Sequence, residues 1–179
     1  MSPIRKLINF VLLLVFLSAC AGLGSFSFTE ESETITVRGQ PSLTSNLPLA
    51  DLFPTSIPLE VNLEQELAEQ DASGARSVHL TELYFELTDE SSQPDFDFLD
   101  RITLTVEPRD ADSDLPARQL AIRNPIPDGQ QQFYLDVNDE LNLKSYVEAG
   151  LRLRTNVSGS PPSSDATFKV FATFRVRVL

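Results

Sequence analysis

Apolar and polar residues alternate at every second position along much of the chain. The clearest run ends the sequence, where Phe168, Val170, Ala172, Phe174, Val176 and Val178 are interleaved mainly with polar and basic residues. Because successive side chains of a strand point to opposite faces, this run predicts a long strand with one buried face. Other predicted strands cover residues 33–38, 77–88, 99–107, 117–123, 131–137 and 150–158, separated by clusters of Pro, Gly, Asp and Ser.

Two segments break the simple alternation. In 77–88 the apolar set moves from even positions (Val78, Leu80) to odd ones (from Leu83 onward), which predicts a β-bulge near Thr81. In 57–67 the apolar residues alternate with acidic ones but Gln65 interrupts them, so we favour a strand and keep a helix over 60–68 as the alternative.

The predicted elements are about eight strands and one short helix over 139–148, which Gly150 would end. Many short strands with turn signals between them favour an all-β fold, an antiparallel β-sandwich that is immunoglobulin-like in general architecture. We expect one such domain over residues 33–179. Residues 20–32 suit a short tether or a first edge strand, and the proline-rich segment 40–58 suits a surface loop with its apolar residues turned inward.

The N-terminus has the layout of an export signal. Arg5 and Lys6 precede an apolar run from Leu7 to Ala19 that ends in small residues. A membrane-spanning helix needs about 20 apolar residues, and this run is shorter. We therefore expect a cleaved signal rather than a permanent transmembrane helix.

Leu17, Ser18, Ala19 and Cys20 end this run, and Cys20 is the only cysteine of the chain. The four residues resemble the lipobox of bacterial lipoproteins. The resemblance implies a signal peptide over residues 1–19, a diacylglyceryl group with palmitate-like chains on Cys20, and a lipidated tether over 20–32. It also implies a location in the cell envelope, in the outer membrane of a Gram-negative host because Ala21 rather than Asp follows the cysteine. An ordinary secretory signal is the alternative.

The chain has 14 basic and 26 acidic residues and a formal net charge of −12, which becomes −14 when Arg5 and Lys6 leave with the signal. Such an acidic domain is soluble and disfavours nucleic acid as a partner. If Cys20 is lipidated, no cysteine is left for a disulfide. The fold must therefore be stabilised by its hydrophobic core.

Few residues suggest catalysis or a cofactor. His79 lies in a predicted strand and is the only histidine, so no second histidine is available to bind a metal ion with it. Asp110, Asp112 and Asp114 resemble the start of a calcium loop, but Leu115 and Ala121 stand where that loop has its glycine and glutamate. A solvated acidic turn is the favoured reading. Asp95, Asp97 and Asp100 form a second acidic group, which would share an ion with the first if both lay at one end of the sandwich.

The last two predicted strands carry an unusual number of basic residues. If they form a hairpin with its apolar residues inward, one outer face would hold Arg152, Arg154, Lys169, Arg175 and Arg177, with Phe171 as an apolar contact. This face would bind an acidic partner, either another envelope protein or an anionic envelope polymer. The alternative is structural, with cross-strand pairing to carboxylates such as Glu60, Glu64, Glu82 and Glu86.

Together these features favour a non-catalytic envelope lipoprotein that binds a partner or supports assembly, with no cofactor beyond the covalent lipid. One alternative is a hydrolase or sugar-processing enzyme that uses two carboxylates. Another is a surface adhesin or carbohydrate-binding module, for which an exposed aromatic platform would be the sign. The chain has no Trp and three Tyr.

Overall fold

The computed structural model describes residues 24–40, 47–110 and 112–179. Within them the chain forms ten strands and three short helices. The strands are β1 (Ser25–Glu31), β2 (Ile35–Val37), β3 (Ser56–Ile57), β4 (Ala75–Leu87), β5 (Leu99–Pro108), β6 (Arg118–Arg123), β7 (Gln132–Tyr134), β8 (Asp136–Val137), β9 (Leu151–Gly159) and β10 (Ala166–Val178). The helices are α1 (Leu49–Leu52), α2 (Leu63–Glu69) and α3 (Lys144–Glu148).

Two antiparallel sheets build a sandwich-like fold, as the alternation predicts. The first, sheet A, has the strand order β1-β10-β4-β7, with β2 pairing with β10 as well. The second, sheet B, has the order β3-β9-β5-β6-β8. The predicted all-β class is confirmed. There are more strands than predicted, in part because the chain passes from sheet A to sheet B at Leu135 and divides segment 131–137 into β7 and β8.

A cluster of aromatic rings fills the space between the sheets. Phe168 of β10 is fully buried and packs against Phe53, Phe85 and Phe96, with ring centroids 5.6 to 5.7 Å apart. Phe133 of β7 stacks on Phe85 at 5.2 Å. Aromatic side chains bury large apolar areas and dominate core energetics. The described residues contain no cysteine, so this aromatic core stabilises them without a disulfide.

The predicted β-bulge is confirmed at Thr81. On β10 the consecutive residues Thr173 and Phe174 pair with Glu82 and Leu80, which leaves Thr81 as the extra residue. The Thr81 hydroxyl donates a hydrogen bond to the carbonyl oxygen of Thr173 at 3.1 Å. This single insertion keeps Leu80 and Leu83 both fully buried, although they stand three positions apart.

The strand expected over 57–67 is wrong beyond Ile57. The structure has the helical alternative there, as α2, which Asn62 caps by accepting the backbone N–H of Gln65 at 3.2 Å. A side-chain cap of this kind stabilises a helix start. Leu63 and Leu67, four positions apart, share the face of α2 that packs on the core.

The helix predicted over 139–148 is shorter than expected. It covers only Lys144–Glu148, because the preceding residues bond to the edge of β4 instead. The Asn142 side chain accepts the N–H of Val78 at 3.1 Å, and the Leu143 N–H donates to the carbonyl of Val78 at 2.7 Å. These bonds satisfy an exposed strand edge.

Two other expectations concern the N-terminal part. Residues 25–31 lie in β1, an edge strand in register with β10, so the sheet begins well before residue 33. In the proline-rich segment Leu49 and Phe53 are buried as expected, whereas Leu47 is exposed. Residues 41–46 lie outside the described part of the chain.

The predicted C-terminal hairpin does not form. Strand β9 pairs with β3 and β5 in sheet B, whereas β10 pairs with β1, β2 and β4 in sheet A. The two strands are linked by 160–165, which contains Pro161 and Pro162. Hairpins favour loops of two to five residues, and proline has no N–H for a ladder bond. The chain therefore crosses between the sheets at this point.

Candidate functional site

The basic residues predicted to share one face lie on opposite sides of the sandwich. Arg152 and Arg154 belong to β9 on the outer face of sheet B. Lys169, Arg175 and Arg177 belong to β10 on the outer face of sheet A. The single basic ribbon is therefore wrong, because its two strands face each other through their apolar sides.

Three of these five residues form ion pairs with two carboxylates. Glu107 on β5 accepts an ion pair from Arg152 at 3.6 Å and from Arg154 at 3.4 Å. Lys169 forms an ion pair with Glu31 on β1. The pairing alternative thus holds for these three, but with acidic partners other than those expected. Exposed pairs of this kind stabilise a fold by about 0–1 kcal/mol each.

Phe171, the apolar member of the predicted face, belongs to a group of three neighbouring aromatic side chains. Its register neighbour on β4 is Tyr84, whose neighbour on β7 is Tyr134. We call Phe171, Tyr84 and Tyr134 the aromatic row. Phe171 and Tyr84 stack with centroids 4.8 Å apart and planes at 13°, and Tyr84 lies 5.1 Å from Tyr134.

The aromatic row lies on the outer face of sheet A. The residues before and after each member in its strand, such as Phe85, Val170 and Phe133, are buried on the inner face. Tyr134 is 49% exposed, and the other two rings are half-buried. The ring spacings match the spacing of neighbouring strands, and Tyr84 lies between the other two rings, stacked on Phe171 and tilted by 42° against Tyr134.

Carboxylates surround the aromatic row. Glu31 on β1 pairs in register with Phe171, and Glu82 and Glu86 flank Tyr84 along β4. The pKa of the Tyr84 hydroxyl is raised, first by burial and then by the negative charge of Glu86 and its other neighbours. The row is thus an apolar strip in a locally acidic surface, and Lys169 beside it is already paired with Glu31.

Of this row, only Phe171 was predicted from the sequence as a candidate site residue. The signal for Tyr84 was present, because Glu82, Tyr84 and Glu86 occupy the outward positions of a strand whose apolar residues lie inward. Which strands would be neighbours could not be read from alternation. That pairing alone brings the three rings together.

The two acidic groups do not meet. Asp95, Asp97 and Asp100 lie at the start of β5, whereas Asp110, Asp112 and Asp114 follow its end. The ten residues of β5 separate the groups by roughly 30 Å. The expectation that both could hold one ion is therefore wrong.

Each acidic group also has local hydrogen bonds. Asp110 accepts the N–H of Asp112 at 3.0 Å, and Asp95 accepts that of Asp97 at 3.1 Å. These are turn-forming contacts of aspartate. Among the described residues, no group of three or more His, Cys, Asp or Glu side chains is arranged to hold a metal ion. Calcium at Asp110, Asp112 and Asp114 stays a hypothesis.

His79 lies on β4 opposite Arg175, and its Nδ1 is 2.9 Å from the carbonyl oxygen of Asp139. This contact ties the loop before α3 to the sheet.

Two carboxyl groups in the described ranges, those of Glu30 and Glu66, have a raised pKa. Burial is the largest cause for both. The negative charge of Glu66 adds to the rise in the pKa of Glu30, and that of Glu69 adds to the rise in the pKa of Glu66.

An open cleft of about 680 Å³ lies between α2, α3 and the C-terminal residue. Its apolar lining includes Leu59, Leu63, Leu67, Val147, Leu151 and Leu179. We call it the α2–α3 cleft. Its volume is in the range typical of ligand sites, and nothing in the alternation pattern predicted it.

The residues that resemble a lipobox, Leu17, Ser18, Ala19 and Cys20, lie outside the described residues. In the part of the chain that is described, no helix has the length and apolar composition needed to cross a membrane. No protein-family model matches the chain, and a search of characterised proteins found no match either.

Proposed function

We propose that this protein is an exported, lipid-anchored β-sandwich that binds a protein partner of the cell envelope through the aromatic row and performs no catalysis. The lipobox-like sequence ending at Cys20 supports export and anchoring. The aromatic row supports binding, and it is the observation that carries the proposal.

Three aromatic rings on the solvent side of a sheet suit a binding anchor. Tyrosine is enriched among the residues that dominate the energy of protein interfaces. Because Phe171 and Tyr84 are already stacked, their side chains lose little conformational freedom when a partner covers them. The half-exposed ring of Tyr134 is the natural centre of contact.

The charges around the row favour a partner with basic residues. Glu82 and Glu86 lie beside Tyr84, and the chain as a whole is strongly acidic. Opposite charge across an interface steers association and excludes wrong partners. An anionic polymer, one of the partners expected from the basic residues, fits this surface poorly.

Carbohydrate binding is the second candidate, because it also uses exposed aromatic rings. A sugar ring packs on the open face of an aromatic side chain. Phe171 is stacked on Tyr84 and Tyr134 is tilted against it, so these rings turn their faces largely towards one another and form no flat platform for a sugar. A protein contact, which can use ring edges, fits the row better.

Crosslinking and affinity capture test the proposal. A photoreactive residue at position 134 should crosslink one basic envelope protein in intact cells. The purified chain should capture that protein, and the doubly substituted variant Tyr84→Ala/Tyr134→Ala should lose it after thermal melting confirms that it is folded. Capture should weaken as salt rises, because exposed charges are screened.

The matched control is Arg152→Gln/Arg154→Gln, which alters the outer face of sheet B. It should capture the partner as the unaltered chain does. Loss of capture in this control alone would contradict a binding face on sheet A. Elution by soluble envelope polysaccharide, without a crosslinked protein, would instead support carbohydrate binding.

A further inference from the structure

The α2–α3 cleft has an apolar floor beneath a rim of charged and polar side chains. Leu63 and Leu67 of α2 line one side, and Val147 of α3 and Leu151 of β9 line another. Leu63 and Leu151 are buried members of the core, so the floor of the cleft is continuous with the apolar centre of the domain. This interior suits an uncharged, flexible hydrocarbon more than a polar ligand.

Most of the rim charges form ion pairs. Arg109 lies 3.9 Å from Glu60, and Lys144 lies 3.6 Å from Glu148. With Glu64 as a further carboxylate, the rim offers two ion pairs and one negative charge, and it has no concentrated positive charge for an anionic head group. A chain whose polar end stays outside the cleft fits this arrangement.

A second, smaller cavity lies beside the start of β1. It measures about 260 Å³ and is lined by Ser25 and Phe26 of β1 and by Val178 and Leu179. Leu179 borders both cavities and is 73% exposed. The two cavities therefore meet at this one leucine side chain.

Cys20 is close to this path along the chain. It precedes Ser25 by five residues, which span at most about 17 Å when fully extended. Lipid attached to Cys20 can therefore reach the smaller cavity and, beyond Leu179, the cleft.

We propose that the α2–α3 cleft holds one acyl chain of the lipid on Cys20. This inference rests on the proposed lipid anchoring. Each methylene that enters the cleft leaves water, which favours occupancy whenever that chain is outside the bilayer. The rest of the lipid stays in the bilayer and holds the start of β1 at the membrane. The aromatic row, at the Glu31 end of β1, then points away from it.

A photoreactive lipid tests the inference on the full-length protein. Cells that produce it are fed a palmitate analogue with a diazirine in its chain, and the purified protein is placed in vesicles of phosphatidylethanolamine and phosphatidylglycerol. After illumination, mass spectrometry measures the lipid on Cys20 and maps the crosslinked residues. We expect crosslinks at Leu67, Val147 and their neighbours in the cleft.

Two variants sharpen the test. Leu67→Asp/Val147→Asp puts charge inside the cleft and should lower the yield of cleft crosslinks about tenfold, because an apolar chain does not pack on buried charge. Leu115→Asp alters a half-buried leucine that does not line the cleft, and it should leave the yield unchanged.

The outcomes separate this inference from the proposed function. A Cys20 that carries no lipid would overturn the lipid anchor and the inference together. Lipid on Cys20 with crosslinks only to vesicle lipids, or scattered over the protein surface, would overturn the inference and leave the anchor intact. An unchanged cleft yield in folded Leu67→Asp/Val147→Asp would also overturn it.

Discussion

The rings of Phe171 and Tyr84 stack across neighbouring strands on the outer face of sheet A, with centroids 4.8 Å apart. Stacked aromatic pairs couple by about 0.5–1.5 kcal/mol beyond the area that they bury. We therefore expect the free-energy losses of Phe171→Ala and Tyr84→Ala to be non-additive by this amount in a double-mutant cycle, measured by urea unfolding. Additive losses would show that the two rings are merely adjacent.

The bulge at Thr81 makes an unusual deletion tolerable. Without Thr81, Leu80 and Glu82 become consecutive, as their partners Phe174 and Thr173 on β10 already are. We expect the deletion variant to fold, with a melting temperature lowered modestly by loss of the hydrogen bond to Thr173.

Deletion of Glu86 is the matched control for this prediction. It would shift by one residue the part of β4 between the deletion and the bulge. The fully buried Phe85 and Leu83 would then move to the solvent face, because a shift of one residue inverts the two faces of a strand. Near-ultraviolet circular dichroism should show packed aromatic rings in the Thr81 deletion and none in the Glu86 deletion. Equal behaviour of the two variants would argue against this register.

Glu30 and Glu66 should make the fold less stable as the pH rises. In the folded state each has a pKa above the ordinary glutamate value of 4.5, so the folded protein binds these protons more tightly than the unfolded chain does. This contribution favours folding at low pH and is lost as the pH rises from about 4.5 through the raised values.

Replacement of Glu66 by Gln, which mimics the protonated carboxyl, tests this dependence. Glu66→Gln should raise the melting temperature at pH 7, and the gain should shrink towards pH 4. Glu140→Gln, at an exposed site, controls for the removal of one negative charge from an acidic protein. A gain at Glu66 that is the same at both pH values would contradict the prediction.

Gly159 ends β9, where the chain leaves sheet B. Its φ is +147°, and a Cβ there would lie 2.1 Å from the carbonyl oxygen of Phe98. We expect Gly159→Ala to lower the free energy of unfolding by more than about 2 kcal/mol, since backbone must move. Gly129→Ala, with a φ of +68° but open space around it, should cost only about 1–2 kcal/mol. Chemical denaturation of both variants checks this order.

Local patterns predicted most strands closely. The segment 99–107 was observed as Leu99–Pro108, and 117–123 as Arg118–Arg123, because alternation reports burial of one face and needs no knowledge of neighbours. Alternation failed at 57–67, where the apolar residues at positions 63 and 67 fit both the two-residue period of a strand and the helical period. There the cap provided by Asn62 decided for a helix.

The candidate site was less predictable. Arg154 and Lys169 were expected on one ribbon because their strands are consecutive, but consecutive strands of a sandwich often belong to opposite sheets. The aromatic row depends on the register of β10 with β4 and of β4 with β7. Such pairings join residues far apart in sequence.

The sequence by itself determined the all-β class, the inward and outward positions of most strands, the bulge at Thr81 and the acidic surface. These follow from period-two burial and charge, which are local properties of the chain. Only the tertiary structure decided which strands are neighbours. It thereby separated Arg152 from Arg175, brought Phe171 to Tyr84 and Tyr134, and opened a cleft between α2 and α3, because contacts across sheets depend on the packing of the whole core.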